Sequence, residues 1–244
     1  MSILPLTDVV SLSETLCVHP IAGELKYATE DNFIGRPLEG YSKDASHICL
    51  LMPEVALQLC KVQNDLLAHH NLGLIIYDAY RPKRAVMDMC RWSFEPSVTT
   101  LEAQRQLQHY PALQKSDLFK MGYIAMNSQH CYGYAVDVFL YNPDTAQPLN
   151  MGAIFDHFGQ LSHISNTAQL ISPEALVNRQ IMAKAMQKFG FLPYENEFWH
   201  FSCQKKRLSQ AFDEPITRDF KGLGVAEALA KISNVLGLDA FQFS

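Results

Sequence analysis

The stretch "SQHCYGYAVDVFL" (residues 128–140) ends in the crowding of Ala135, Val136, Val138, Phe139 and Leu140 that suits a buried β-strand, yet Asp137 stands in its middle. An ionised carboxylate buried without a partner costs several kcal/mol or more, enough to neutralise the group or unfold a domain. Asp137 therefore needs a strong partner or a solvated opening. The partner has to come from elsewhere in the chain.

Outward from this strand, helical and strand-like segments follow one another. "PEVALQLCKVQNDLLAHHN" (53–71) opens with a proline suited to a first helical position and spaces Val55, Leu57, Leu59, Val62 and Leu66 mainly toward one side, as a core helix does. In "LGLIIYDAYRP" (72–82), Leu74 to Tyr77 form a short apolar strand that Pro82 stops, and "KRAVMDMCRW" then reads as helical. "SPEALVNRQIMAKAMQKFG" (172–190) is the clearest helix, with Ser172 as N-cap, Pro173 at the first position and Gly190 as the stop. "FLPYENEFWHFS" (191–202) returns to strand, and "GVAEALAKISNVLG" (224–237) adds a last helix. Loop signals sit at "DNFIGRP", "FEPSVTT", "YNPDTAQPLNMG" and "DEP". Helices and strands without regular βαβ alternation predict an α+β fold, helices packed on a central, mainly antiparallel sheet.

The 244 residues are 48% hydrophobic and 18% charged, enough for one large core, so a single domain over 1–244 is expected. A net charge of -5 and a pI near 6.0 leave no basic footprint, which argues against nucleic acid or anionic membrane as a partner. The N-terminal twenty residues lack a basic n-region and an uninterrupted apolar core, and no stretch approaches the roughly 20 apolar residues of a membrane span. The expected location is cytoplasmic. Six cysteines without a CxxC pair read as free thiols.

Among nine histidines, His130 lies seven residues before Asp137 with Gly133 between them to allow a bend, and His200 sits in "EFWHFS". Two imidazoles and one carboxylate make a three-ligand zinc set that leaves a fourth position open, the pattern of a catalytic site. Either segment alone would read as a hydrogen-bonded core histidine. Glu197, three residues before His200, shifts the balance, because zinc hydrolysis also needs a general base. Positions three apart point to opposite faces of a regular strand, so Glu197 and His200 converge only at a bulge or strand entrance, and the residues alone leave Glu195 open. Arg81, at the end of "YDAYRP", either enters a cleft, where a guanidinium stabilises an oxyanion, or simply pairs with Asp78. His69 and His70 end a helix and read as capping or exposed groups. Cys131 adjoins a candidate ligand but reads as a bystander, and there is no GxSxG elbow.

Together, "SQHCYGYAVD", "EFWH" and "YDAYRP" resemble the SxHxxGxAxD, ExWH and YRP motifs of the zinc D-alanyl-D-alanine dipeptidases, the VanX-like branch of the D,D-peptidases. The similarity extends to "LKYATEDNFIGRPLEGY", "RPKRAV" and "MGAIFDHFGQLSH" and spans roughly residues 20 to 205 in order. The resemblance implies a small α+β zinc domain in which His130, Asp137 and His200 bind one Zn2+, Glu197 is the acid/base and Arg81 polarises the scissile carbonyl or its tetrahedral intermediate. It further implies that Asp156 receives the ammonium group of a D-Ala-D-Ala substrate, with Ser128 nearby and Tyr27 as a further contact; His163 would have a supporting role. Phe198 stands where relatives often carry a second tryptophan, a difference expected to reshape the pocket wall. Residues from about 206 to 244 form an extension with no matching segment.

Two other functions fit the same metal set. A D,D-carboxypeptidase or peptidoglycan endopeptidase would accept longer substrates in an open cleft, against which Asp156 argues. A non-catalytic zinc-binding interaction module would need neither Glu197 nor Arg81. Homo-oligomerisation is left open.

Overall fold

The structure is a computed structural model and describes residues 4–96, 99–165, 169–203 and 210–236. Its frame is a sheet of strands β2 (Ala22–Gly23), β4 (Gly73–Asp78), β5 (Ala135–Asn142), β8 (Glu197–Cys203) and β7 (Phe191–Tyr194), in that spatial order, with β6 (Gln147–Pro148) paired to the end of β5. Only the short β2–β4 pairing is parallel; β4–β5, β5–β8 and β7–β8 are antiparallel. The mainly antiparallel α+β arrangement expected from the sequence is what forms. A separate two-stranded pair joins β1 (Thr7–Asp8) to β3 (Leu50–Leu51).

Strand β4 is buried along its whole length and β5 along all but its last residue, because helices cover the sheet. Helix α2 (Pro53–His70) packs on β4, and α6 (Pro173–Lys188) packs on β5, β7, β8 and α2. Pro53 opens α2, where its missing N–H costs no helical bond, and Asn71 closes it in the left-handed region at φ 52°. Ser172 caps α6 by accepting from the Ala175 N–H at 3.2 Å, and Pro173 follows at the first turn. Helix α3 (Lys83–Phe94) starts directly after Pro82.

Three helices that the sequence reading leaves out are present: α1 (Val9–Leu16), α4 (Thr100–His109) and α5 (Lys115–Lys120). Each is short, at six to ten residues, but caps mark all three, a Gln114–Asp117 capping box opening α5. The Asp8 carboxylate accepts from Val10 and Ser11, and Thr99 and Glu102 form a reciprocal capping box. The expected loop "YNPDTAQPLNMG" likewise contains β6, held by the Tyr141↔Pro148 and Asn142↔Gln147 pairings.

The C-terminal extension contains the expected last helix, α7 (Val225–Leu236), which packs on α2 and β1. Upstream of it, Arg84 ion-pairs with Asp213 and the Tyr80 hydroxyl donates to the Glu214 carbonyl. Residues 204–209 and 237–244 of this region lie outside the described residues. No helix among the described residues is long and apolar enough to cross a membrane.

Candidate active site

Asp137 is 2% exposed, and strand register supplies its partners. Across the β5–β8 ladder it lies opposite His200; across the β4–β5 ladder it lies opposite Asp78, after a bulge at Tyr77. His130 arrives from a one-turn 3-10 helix (Gln129–Tyr132) that Gly133 ends at φ 70°. A Cβ on Gly133 would come within 2.6 Å of the Leu6 side chain, so this bend needs glycine both for its φ and for space.

The His130 Nδ1–H donates to the Ala79 carbonyl at 2.6 Å, which leaves Nε2 with its lone pair turned inward. His130 Nε2, His200 Nδ1 and Asp137 Oδ1 lie 3.1, 3.0 and 3.4 Å apart in pairs. Two imidazoles and a carboxylate aimed at one point are a donor set for a cation, and they form the one such cluster among the described residues. Burial alone would push the Asp137 carboxyl up, but the His130 and His200 imidazoles beside it hold it well below the usual carboxylate range.

Glu197 is the first residue of β8, at the strand entrance, and the register of β7 against β8 shifts beside it. That irregularity lets residues three apart converge: Glu197 Oε2 is 4.0 Å from His200 Nδ1. Burial first, then the charges of Asp137 and Asp156, push its carboxyl well above the usual value, with Arg81 opposing. Glu195 is exposed and tied to the backbone N–H and hydroxyl of Ser165.

Arg81 pairs with Asp78 and also lines the cleft. Its Nε and Nη2 reach Asp78 Oδ2 at 2.8 Å each, while Nη2 also lies 3.5 Å from Asp137 Oδ2. Asp78, fully buried, is fixed in turn by the Tyr41 hydroxyl at 2.6 Å. Nη1 makes no hydrogen bond among the described residues, and Arg81 lines the central cavity.

That cavity, of about 300 Å³, brings together all eight residues singled out in the sequence: Tyr27, Arg81, Ser128, His130, Asp137, Asp156, Glu197 and His200. Asp156 sits on the loop after β6 with φ 59° and is 3% exposed. Its Oδ1 accepts from the Tyr27 hydroxyl at 3.1 Å, whereas its buried Oδ2 has no hydrogen-bond partner among the described residues. Burial and the Asp137 charge push its carboxyl well above the usual range. Ser128 caps the turn that carries His130, accepting from the His130 N–H at 3.3 Å. His163 is bonded to the Tyr123 hydroxyl at 3.0 Å, and Tyr123 lines the cavity.

Phe198 requires a correction. It does not line the cavity but packs against Phe139, with the Arg179 guanidinium 3.7 Å from its ring centre, so the wall beside Glu197 is Trp199. Cys131 is buried, and burial pushes its thiol up to about 11, which leaves it inert. The sequence reading missed Tyr41 and the Ala79 carbonyl, which orient Arg81 (through Asp78) and His130. The shared segments "YDAYRP" and "LKYATEDNFIGRPLEGY" contain Ala79 and Tyr41, but neither shows which buried group each of them orients.

Asp78 is offset by Arg81 and Asp137 is flanked by His130 and His200, whereas Asp156 and Glu197 are buried carboxyls with raised pKa values. A carboxyl buried without positive charge beside it stays protonated, and a cation at the donor set together with a cationic group at Asp156 would let these groups ionise.

The D-ala-D-ala dipeptidase family model matches residues 7–218, further at both ends than the motifs reach. A D-alanyl-D-alanine dipeptidase of Enterococcus faecium is 33% identical over 200 residues, covering 82% of this chain and 94% of that protein. One from Enterococcus faecalis is 34% identical over 184 residues, covering 75% and 86%. The solved structure of a vancomycin-resistance D,D-pentapeptidase, VanY, in complex with Zn(II) is far more remote, at 13% identity and a TM-score of 0.31 over 81% of this chain and 85% of that one. With the family model matching most of the chain and the two Enterococcus dipeptidases about one third identical to it, the chain belongs to the D-ala-D-ala dipeptidase family.

Proposed function

We propose that this enzyme hydrolyses the free dipeptide D-Ala-D-Ala to two D-alanines, using one zinc ion held by His130, Asp137 and His200. The observation that carries the reading is the pairing, in one cavity, of the His130, Asp137 and His200 donor set with Asp156, a buried carboxyl that has one oxygen without a hydrogen-bond partner among the described residues. A bound zinc supplies Lewis acidity, bringing the pKa of water from about 15.7 toward about 7. Glu197 takes the proton of the attacking water and passes it to the leaving amine, a role suited to a carboxyl whose pKa is raised by burial. Arg81, braced by Asp78, turns its Nη1 edge to the developing oxyanion. Asp156, with Tyr27 and Ser128 beside it, receives the substrate's ammonium group and so favours peptides with a free N-terminus. We read the chain as one domain, with helix α7 of its C-terminal extension packed on α2 and β1. The six free cysteines support a cytoplasmic setting.

The test measures D-alanine release from D-Ala-D-Ala and from its N-acetylated form, before chelation, after chelation and after zinc is restored. Zinc-dependent release from the free dipeptide alone is expected. Release from both would replace the reading by a carboxypeptidase; release from neither, with zinc bound, would favour an interaction module.

A further inference from the structure

Asp156 holds a backbone conformation that costs a residue with a side chain of order 1 kcal/mol or more, so its surroundings must impose it. The imposing element is the end of α4. His109, the last residue of that helix and 5% exposed, points its Nδ1 at the Asp156 carbonyl at 3.1 Å. A carbonyl only accepts, so the ring carries its proton on Nδ1. Two more bonds tie the same strip of helix to the same loop: Phe158 N–H donates to the His109 carbonyl, and His157 Nδ1–H donates to the Gln108 carbonyl at 2.9 Å.

The helix end is itself held. The capping box at Thr99 fixes the start of α4, and Glu102 within it accepts from the Trp92 indole at 2.9 Å. Trp92 packs edge-on against Phe33, which packs against Phe158 beside Asp156. His109 lines a second cavity, of about 830 Å³, on the other side of the loop, and does not line the catalytic one. It therefore cannot touch a substrate bound at the zinc donor set.

We propose that His109 is a positioning residue for substrate selection: its Nδ1–H, by fixing the Asp156 carbonyl, sets the backbone that aims the Asp156 carboxylate at the substrate's ammonium group. This rests on Asp156 being the ammonium acceptor.

The test compares His109→Leu, His109→Asn and His109→Gln with Asp156→Asn, all zinc-loaded, on free and N-acetylated D-Ala-D-Ala. Losing one directed hydrogen bond should raise KM for the free dipeptide about tenfold in His109→Leu, with kcat changed by less than about threefold and the preference for the free N-terminus reduced. The asparagine amide nitrogen sits where Nδ1 does, so His109→Asn should stay close to wild type. Glutamine places its amide where Nε2 does and should behave like leucine. A folded His109→Leu with unchanged KM and preference overturns the inference; if that variant does not fold, equal KM values for the Asn and Gln variants overturn it. Asp156→Asn separates the two layers. If it leaves KM and preference unchanged, the ammonium site itself is wrong; if it changes both while the His109 variants do not, only the role of His109 fails.

Discussion

Glu195 and Glu197 stand two apart on one hairpin and have opposite surroundings. One is exposed and bonded to Ser165; the other is buried 4.0 Å from His200 Nδ1 with its pKa driven up. A carboxyl that must accept and then release a proton near neutral pH needs the second environment. Replacing it by the isosteric amide keeps shape and removes proton transfer, so Glu197→Gln should lose about 10² to 10⁴ in kcat while still binding one zinc per chain. Glu195→Gln should keep nearly full turnover. Metal content by atomic absorption, measured with kcat on the same samples, checks both; full turnover in Glu197→Gln with zinc bound would remove it from the mechanism. The motif pointed to Glu197, but only the strand entrance explains how it reaches His200, because alternation alone sends the two side chains to opposite faces.

Among elements, α6 does more than cover the sheet. Its Arg179 is 6% exposed and bonds three main-chain carbonyls: Met151 at 2.6 Å, Leu161 at 2.7 Å and His163 at 3.5 Å. The same guanidinium lies over Phe198, next to Glu197 on β8. One side chain thus ties both ends of the Asp156 loop to the catalytic strand, at the cost of burial that lowers its own pKa to about 10. Arg179→Met would leave buried carbonyls without donors and should destabilise the fold by about 2–4 kcal/mol in urea unfolding. Arg179→Lys should recover only part of this, since one ammonium cannot span the carbonyls that a planar fork reaches. A loss below about 0.5 kcal/mol, the range of ordinary surface substitutions, would show the clamp to be dispensable. The sequence gives α6 cleanly, through Ser172, Pro173 and Gly190, but not this use of it. An arginine in a helix reads as solvated until the loop it holds is known. Helix α4 escapes the sequence reading for a related reason: "TLEAQRQLQH" carries few apolar residues, and its Thr99–Glu102 capping box is only four residues of local signal.

At the scale of the molecule, long apolar runs made the central strands legible and the motifs named the groups around the cavity. The register that puts Asp137 opposite His200 and the cross-chain approach of His109 to Asp156 are tertiary facts, carried by no local pattern. That approach has a consequence for the stability of the whole fold. Burial lowers the His109 pKa from 6.5 to about 4; the Asp156 carbonyl and Asp31 oppose this, while Arg105 and His157 add to it. Between these two values the unfolded chain binds a proton that the folded chain does not, so stability falls as pH drops through the window. At 1.36 kcal/mol per unit the loss amounts to at most about 3 kcal/mol. Asp156 and Glu197 act in the other direction, since raised folded pKa values make the folded chain the better proton acceptor as pH falls. The total pH dependence is therefore a sum, and His109→Asn isolates one part of it, because asparagine keeps the hydrogen bond and does not titrate. Urea unfolding at a series of pH values from about 7 to about 4 should show wild type losing more stability than His109→Asn, the gap opening below about pH 6.5. Parallel curves would mean that the folded chain protonates this imidazole as readily as the unfolded one, and that burial at the end of α4 does not keep the ring neutral.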